Sequence, residues 1–146
     1  MPDYPERLAH IVPGWVKRGA VYHVRIRARE DAPFPLTDQR VASGLLYSAR
    51  RYHTDARWYC RLFLLMPDHL HALLAFPPEQ SMSDIIGAWK GFQAKRHGVR
   101  WQKNYFDHRI RHRSELEEKA TYIRLNPVVK NLCATENDWP WVLASG

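Results

Sequence analysis

The chain has 146 residues, 45% hydrophobic and 25% charged, the composition of one globular domain with its own core rather than of a disordered or low-complexity chain. Lys and Arg number 22 against 15 Asp and Glu, a formal charge of +7 with a pI near 9.7, which favours a polyanionic partner, nucleic acid before an acidic membrane surface. Cys60 and Cys133 form no ligand-spaced cluster, no apolar run approaches a membrane span, and MPDYPERLAH lacks the apolar centre of a secretory signal, so a cytoplasmic setting is expected.

Residues 1–18 read as a Pro-containing N-terminal arm of a single domain over 1–146, with regular structure from Gly19. In AVYHVRIRAR, Tyr22, Val24, Ile26 and Ala28 alternate with His23, Arg25, Arg27 and Arg29, the period of a strand with one apolar and one basic face. After the proline-punctuated DAPFPLT, Thr37 is placed to cap a helix to about residue 53 with Val41, Leu45, Leu46 and Ala49 on one stripe. RWYCRLFLLM reads as a second strand, Pro67 and Asp68 as a tight turn, and HLHALLAF as a third strand antiparallel to it.

SMSD offers caps for a helix over about 84–97, with Ile85, Trp89 and Phe92 on one side and Lys90 and Lys95 elsewhere. A strand is expected near Tyr105 to Ile110, then a third helix opened by the S-x-x-E box of Ser114 and Glu117, its inward stripe Leu116, Ala120 and Ile123. The order β-α-β-β-α-β plus a C-terminal helix is an α+β, ferredoxin-like (split βαβ) antiparallel sheet with two helices on one face. The first and third strands then lie in the centre, and those two helices leave the opposite face free for a site.

His69 and His71 stand at i and i+2 on the third strand, so both rings leave the face opposite Leu70, Ala72, Leu74 and Phe76. Two neutral imidazoles there can share one cation, although an isolated H-x-H pair fits a structural role as well, and the chain holds six other histidines at 10, 23, 53, 97, 108 and 112. In EEKATYIRLNPVVKNL, Tyr122 and Asn126 are four apart on one helical face, beside the inward stripe. Taken alone, they fit a half-buried tyrosine and a residue at a helix end before Pro127, where a kink can draw Asn126 away from its i+4 position.

MPDHLHALL, the lysine-bearing helix, WQKNYFDHR, YIRLNPVVKNL and the closing DWPW follow one another, collinearly from about Gly19 to Trp141, as in one known family. The chain resembles the REP-associated tyrosine transposases, in the single-tyrosine branch of the HUH (His-hydrophobic-His) nucleases. The resemblance implies metal-dependent cleavage and rejoining of single-stranded DNA through a 5′-phosphotyrosine link. It makes Tyr122 the nucleophile, His69 and His71 metal ligands and Asn126 the third protein ligand, with Mg²⁺ or Mn²⁺ as the cation, and it implies a single-stranded or hairpin DNA partner and a possible homodimer. A phenol is a poor nucleophile at neutral pH, so such chemistry needs a polarised phosphate; imidazole ligation by itself suits Mn²⁺ better than Mg²⁺. Asp68 stands where many relatives carry asparagine, and the first strand ends differently, but neither departure touches an expected ligand.

DNA contacts are expected from Arg25, Arg27 and Arg29 on the basic face, from Lys90 and Lys95, and from Arg109, Arg111 and Arg113 in HRIRHR, with Trp101 and Tyr105 as stacking platforms for unpaired bases. Two rival readings remain at this stage: a domesticated hairpin-binding module, and a metal-dependent phosphodiesterase that uses water and forms no covalent intermediate.

Overall fold

The computed structural model describes Arg7, Leu8 and residues 12–145. The elements in chain order are β1 (Arg7–Leu8), α1 (Gly14–Arg18), β2 (Val21–Arg27), α2 (Gln39–Thr54), β3 (Tyr59–Leu65), β4 (His69–Ala75), α3 (Met82–His97), β5 (Phe106–Ile110), α4 (Arg113–Val129) and β6 (Val142–Ser145), with a 3₁₀ turn at Glu136–Asp138. The sheet order is β1-β6-β3-β4-β2-β5. All neighbours are antiparallel except β1 and β6. The split βαβ core therefore stands as expected, with β2 and β4 in the interior of the sheet.

Three short elements were not anticipated. Regular structure begins before Gly19, with β1 and α1 inside the expected arm, whose residues 1–6 and 9–11 lie outside the described residues. Strand β6 extends the sheet beyond β3, with Leu143 buried at its centre. Four residues of VLAS are too few to show a period, so only pairing identifies them as a strand.

Strand alternation sorts the side chains as the sequence predicts. Val24, Ile26 and Ala28 of the first strand and Leu70, Ala72 and Leu74 of β4 join the main core beneath α2 and α3, with Trp58, Phe63 and Trp89 at its centre. Where α2 and α3 meet, a Cβ at Gly44 would overlap the His97 ring, so the glycine lets that ring lie against α2 where a larger residue would displace it. The other face of the sheet is roofed by α4. There Leu62, Leu64, Met66, Leu73, Ile110 and Ile123 form a second, smaller core, flanked by Leu116 and Ala120.

Several local expectations are corrected. The cap of α2 is Asp38, not Thr37: its carboxylate accepts from Val41 N–H at 3.3 Å. Ser114 does not cap α4, which starts two residues earlier than such a cap requires, at Arg113 behind His112. Glu115 instead accepts from Arg111 N–H at 3.0 Å and from His108 Nε2 at 2.6 Å, tying the helix entry to β5. Phe92 is exposed, and Gln93 takes the inward position, donating to Ser48 Oγ at 2.6 Å. Helix α4 continues through Pro127 to Val129, so proline does not carry Asn126 away from the sheet.

Candidate active site

The turn Met66-Pro67-Asp68-His69 sets the histidines. Met66 N–H donates to His69 O at 2.7 Å across it, and two further backbone donors fasten it: Ala28 N–H to Asp68 O at 2.9 Å and Leu36 N–H to Pro67 O at 2.8 Å. A turn fastened on both sides fixes the direction of the first β4 side chains. In the β2·β4 register His71 lies opposite Arg25 and His69 opposite Arg27, so imidazoles and guanidinium groups share one face.

On that face His69 Nε2 and His71 Nε2 are 3.2 Å apart, and the Asn126 amide nitrogen is 2.9 Å from His71 Nε2. Tyr122, one helical turn before Asn126, has its ring centroid 5.9 Å from that of His71 and stands 56% exposed. The four residues singled out from the sequence thus meet within one chain. Ile123, fully buried between them, holds this stretch of α4 against the sheet.

Hydrogen bonds assign the protons. Asp68 Oδ1 accepts from His69 Nδ1 at 2.7 Å, which leaves the Nε2 lone pair of His69 facing inward. Asn126 Nδ2 lies 2.9 Å from His71 Nε2 and His23 Nε2 lies 3.0 Å from His71 Nδ1; in the proton order that leaves His71 Nε2 as an acceptor for Asn126, His71 carries its proton on Nδ1 and donates it to His23. Two imidazole lone pairs facing each other at 3.2 Å repel unless a cation or a donor lies between them. Burial, then the charges of His69, His23, Arg25 and Arg27, lowers the His71 pKa to about 3. Burial, then Lys119, Arg25 and His108, lowers that of His23 to about 4. His69 is also lowered by burial, against the opposing pull of Asp68. The rings are therefore neutral at pH 7, as ligands must be.

The donor set fits a hard or borderline divalent cation. Adjacent ligands of an octahedral ion at about 2.1 Å lie roughly 3.0 Å apart, close to the separations found here. A half-turn of the Asn126 carboxamide exchanges Nδ2 for Oδ1, the atom of that side chain able to ligate a cation. The set carries no net charge, and among the described residues no group of three or more His, Cys, Asp or Glu is placed to hold a metal. Such a set leaves coordination positions and uncompensated charge for phosphate oxygens.

The expected DNA-binding residues divide into three places. Arg25 and Arg27 line a shallow cavity of about 390 Å³ beside the histidines with Asn104, Tyr105 and Phe106, and Arg25 lies 4.8 Å over the Phe106 ring. Arg109, Arg111 and Arg113 line a cleft of about 600 Å³ at the start of α4, where Arg61, unremarked in the sequence, joins them. The others are not brought to the site. Arg29 pairs with Asp31 at 3.2 Å, and Lys95 is exposed in the last turn of α3, on the opposite side of the sheet. Lys90 donates to the carbonyls of Gln102 and Lys103 at 2.9 and 3.2 Å.

Trp101 is corrected too. Trp101 packs on Trp89 and donates to Lys90 O at 3.1 Å, so it serves the core edge rather than standing free to stack on bases, whereas the Tyr105 hydroxyl meets Ser83 Oγ at 3.0 Å while Tyr105 itself lines the cavity with Arg25 and Arg27. Two contributors escaped the sequence reading. His23 was one of six scattered histidines although its alternation with Arg25 put it on the right face, and Asp68 was read as a turn residue and a departure from the asparagine of many relatives, without a contact to His69. DWPW acquires a local role, with Trp139 Nε1 donating to Leu65 O at 2.9 Å next to the histidine turn.

A family model described as "Transposase IS200 like" matches residues 17–126. Among curated proteins the chain is similar to a Haemophilus influenzae protein assigned as a REP-associated tyrosine transposase, 24% identical over 143 residues covering 85% of this chain and 79% of the other. Among solved structures it is similar to a REP-associated tyrosine transposase bound to a REP hairpin, at 21% identity and a TM-score of 0.73 over 97% of this chain and 82% of that one. A second similar fold is a Deinococcus radiodurans R1 protein assigned as a transposase, at 21% identity and a TM-score of 0.54 over 71% of this chain and 88% of that one. No helix among the described residues is long and apolar enough to cross a membrane.

Proposed function

The chain belongs to the IS200-like transposase family, and from that premise we propose that it cleaves and rejoins single-stranded DNA beside a hairpin, with Tyr122 as nucleophile and His69, His71 and Asn126 as ligands of Mg²⁺ or Mn²⁺. The observation that carries the reading is the convergence of both Nε2 atoms, the Asn126 amide and the Tyr122 ring at one point of the sheet. The Haemophilus relative and the hairpin-bound structural neighbour support the substrate class.

A divalent cation bound there supplies a Lewis acid for the phosphate and neutralises charge that develops on its oxygens. The protein residues do the rest. Arg25 and Arg27 hold the strand across the shallow cavity beside the histidines. The Tyr122 phenolic oxygen attacks phosphorus and loses its proton, the bond to the 3′ oxygen breaks, and that oxygen leaves as a hydroxyl after taking up a proton. The phosphotyrosine retains the free energy of the broken phosphodiester, so a 3′-hydroxyl of another strand can reverse the attack without ATP.

Because α4 packs over its own β4, one chain brings all four groups together, and a homodimer is not needed to complete them. One domain over 1–146 in the cytoplasm, with Cys60 and Cys133 as free thiols, is the setting in keeping with this reading. A pure hairpin binder has no use for the four-residue convergence, and a water-using phosphodiesterase has none for an exposed tyrosine over the histidines. Incubation with hairpin DNA and Mn²⁺ is expected to give a denaturation-resistant protein–DNA adduct that Tyr122→Phe abolishes. Cleaved product without an adduct would favour the phosphodiesterase, and binding with neither would favour the module.

A further inference from the structure

We infer that His23 is a positioning residue for His71: by accepting the Nδ1 proton of His71 it keeps the His71 Nε2 lone pair aimed at the cation. The inference rests on the metal reading above and extends it to a residue 48 positions away in sequence. His23 is 4% exposed, its Nε2 lies 3.0 Å from His71 Nδ1, and the two rings stack with centroids 5.2 Å apart. Phe106 closes the far side of His23 edge-on at 5.7 Å. The imidazole is therefore held in place by packing on both of its sides.

A cost accompanies the arrangement. If His23 Nε2 accepts from His71, the proton of a neutral His23 sits on Nδ1, and Nδ1 is buried without a hydrogen-bond partner among the described residues. An orphaned buried N–H is destabilising by about 1–3 kcal/mol, so a chain selected for stability alone would place a carbon there. The alternative proton order shows what this cost prevents. With His71 protonated on Nε2, that N–H donates to the His69 Nε2 lone pair 3.2 Å away, and each imidazole then blocks the other as a ligand. On the neighbouring ring Asp68 performs the same service for His69, so each ligand imidazole has an acceptor behind it.

The test compares wild type, His23→Leu, which removes the acceptor, and His23→Gln, whose carbonyl oxygen restores one. Mn²⁺ affinity is read from the electron paramagnetic resonance of free ion, and the His71 tautomer from long-range ¹H–¹⁵N spectra of the metal-free protein. His23→Leu is expected to bind Mn²⁺ about 10–100-fold more weakly with the His71 proton moved to Nε2, and His23→Gln to recover most of the affinity. Wild-type affinity and an unchanged tautomer in His23→Leu overturn the inference while leaving the metal reading intact. A wild-type chain that binds no Mn²⁺, with or without hairpin DNA, overturns the metal reading itself. Should His23→Leu fail to fold, the wild-type spectrum decides: a His71 proton on Nε2 in the metal-free chain overturns the inference.

Discussion

Helix α4 carries both Tyr122 and Asn126, yet it is fastened to the sheet through the smaller of the two cores, where Ile123 is the fully buried member of its Leu116, Ala120 and Ile123 stripe. Ile123→Ala deletes most of that side chain from a site packed by Leu62, Leu64, Met66 and Leu73, at a cost of about 2–5 kcal/mol. Since this loss falls on the contact between α4 and the sheet, even about 2 kcal/mol raises the population with α4 detached roughly 30-fold. Ile86→Ala makes the same deletion in the main core beneath α3, where Ile86 is also fully buried. Urea melts calibrate the two variants, native-state hydrogen exchange reports opening at the Tyr122 and Ile123 amides, and adduct yield reports the site. Ile123→Ala should open α4 below its global unfolding free energy and lose adduct, while Ile86→Ala of similar stability keeps both. Equal opening and equal adduct loss in the two variants would refute the claim that the small core positions the nucleophile.

Acid should unfold the metal-free chain early. His23 and His71 stay neutral when folded down to about pH 4 and 3, whereas in the unfolded chain they protonate near 6.5. In that window the unfolded state binds more protons, so stability is full above 6.5 and falls as pH drops, by roughly 5 kcal/mol between pH 7 and 4.5; a urea midpoint that does not move over this range contradicts it. Asn126→Ala should weaken Mn²⁺ binding at least about tenfold, and Asn126→Asp, which supplies an anionic oxygen, should preserve or tighten it; equal affinities across the three proteins would remove Asn126 from the ligand set. If the four-arginine cleft at the start of α4 holds DNA backbone, Arg111→Ala should lower the salt slope of hairpin binding by about 0.9. Lys90→Met, whose amine is committed to the Gln102 and Lys103 carbonyls, should leave that slope unchanged and lower stability instead.

Legibility followed the range over which each feature is determined. Alternation in AVYHVRIRAR and HLHALLAF assigned faces correctly because a period of two is a local property, and the helical stripe of Leu116, Ala120 and Ile123 placed α4 by the same logic. What escaped is set across the sheet. His23 matters only because β2 and β4 pair in the register that opposes Arg25 to His71, and no window of sequence contains both strands. The capping box at Ser114 failed because β5 ends close enough for Glu115 to be drawn to His108 and Arg111, a competition between neighbours in space. Lys90 and Trp101 have the composition of a nucleic-acid surface, but their hydrogen bonds commit them to the loop before β5 and to each other.

The central claim is that Tyr122 attacks DNA while His69, His71 and Asn126 hold the cation. It is tested most directly by digesting the hairpin-DNA adduct formed in Mn²⁺ and locating the nucleotide by mass spectrometry. The account predicts one modified peptide, carrying a 5′-phosphoryl nucleotide on Tyr122, and no adduct when the cation is chelated. A nucleotide found on any other side chain, or cleaved DNA with no modified peptide, would contradict it.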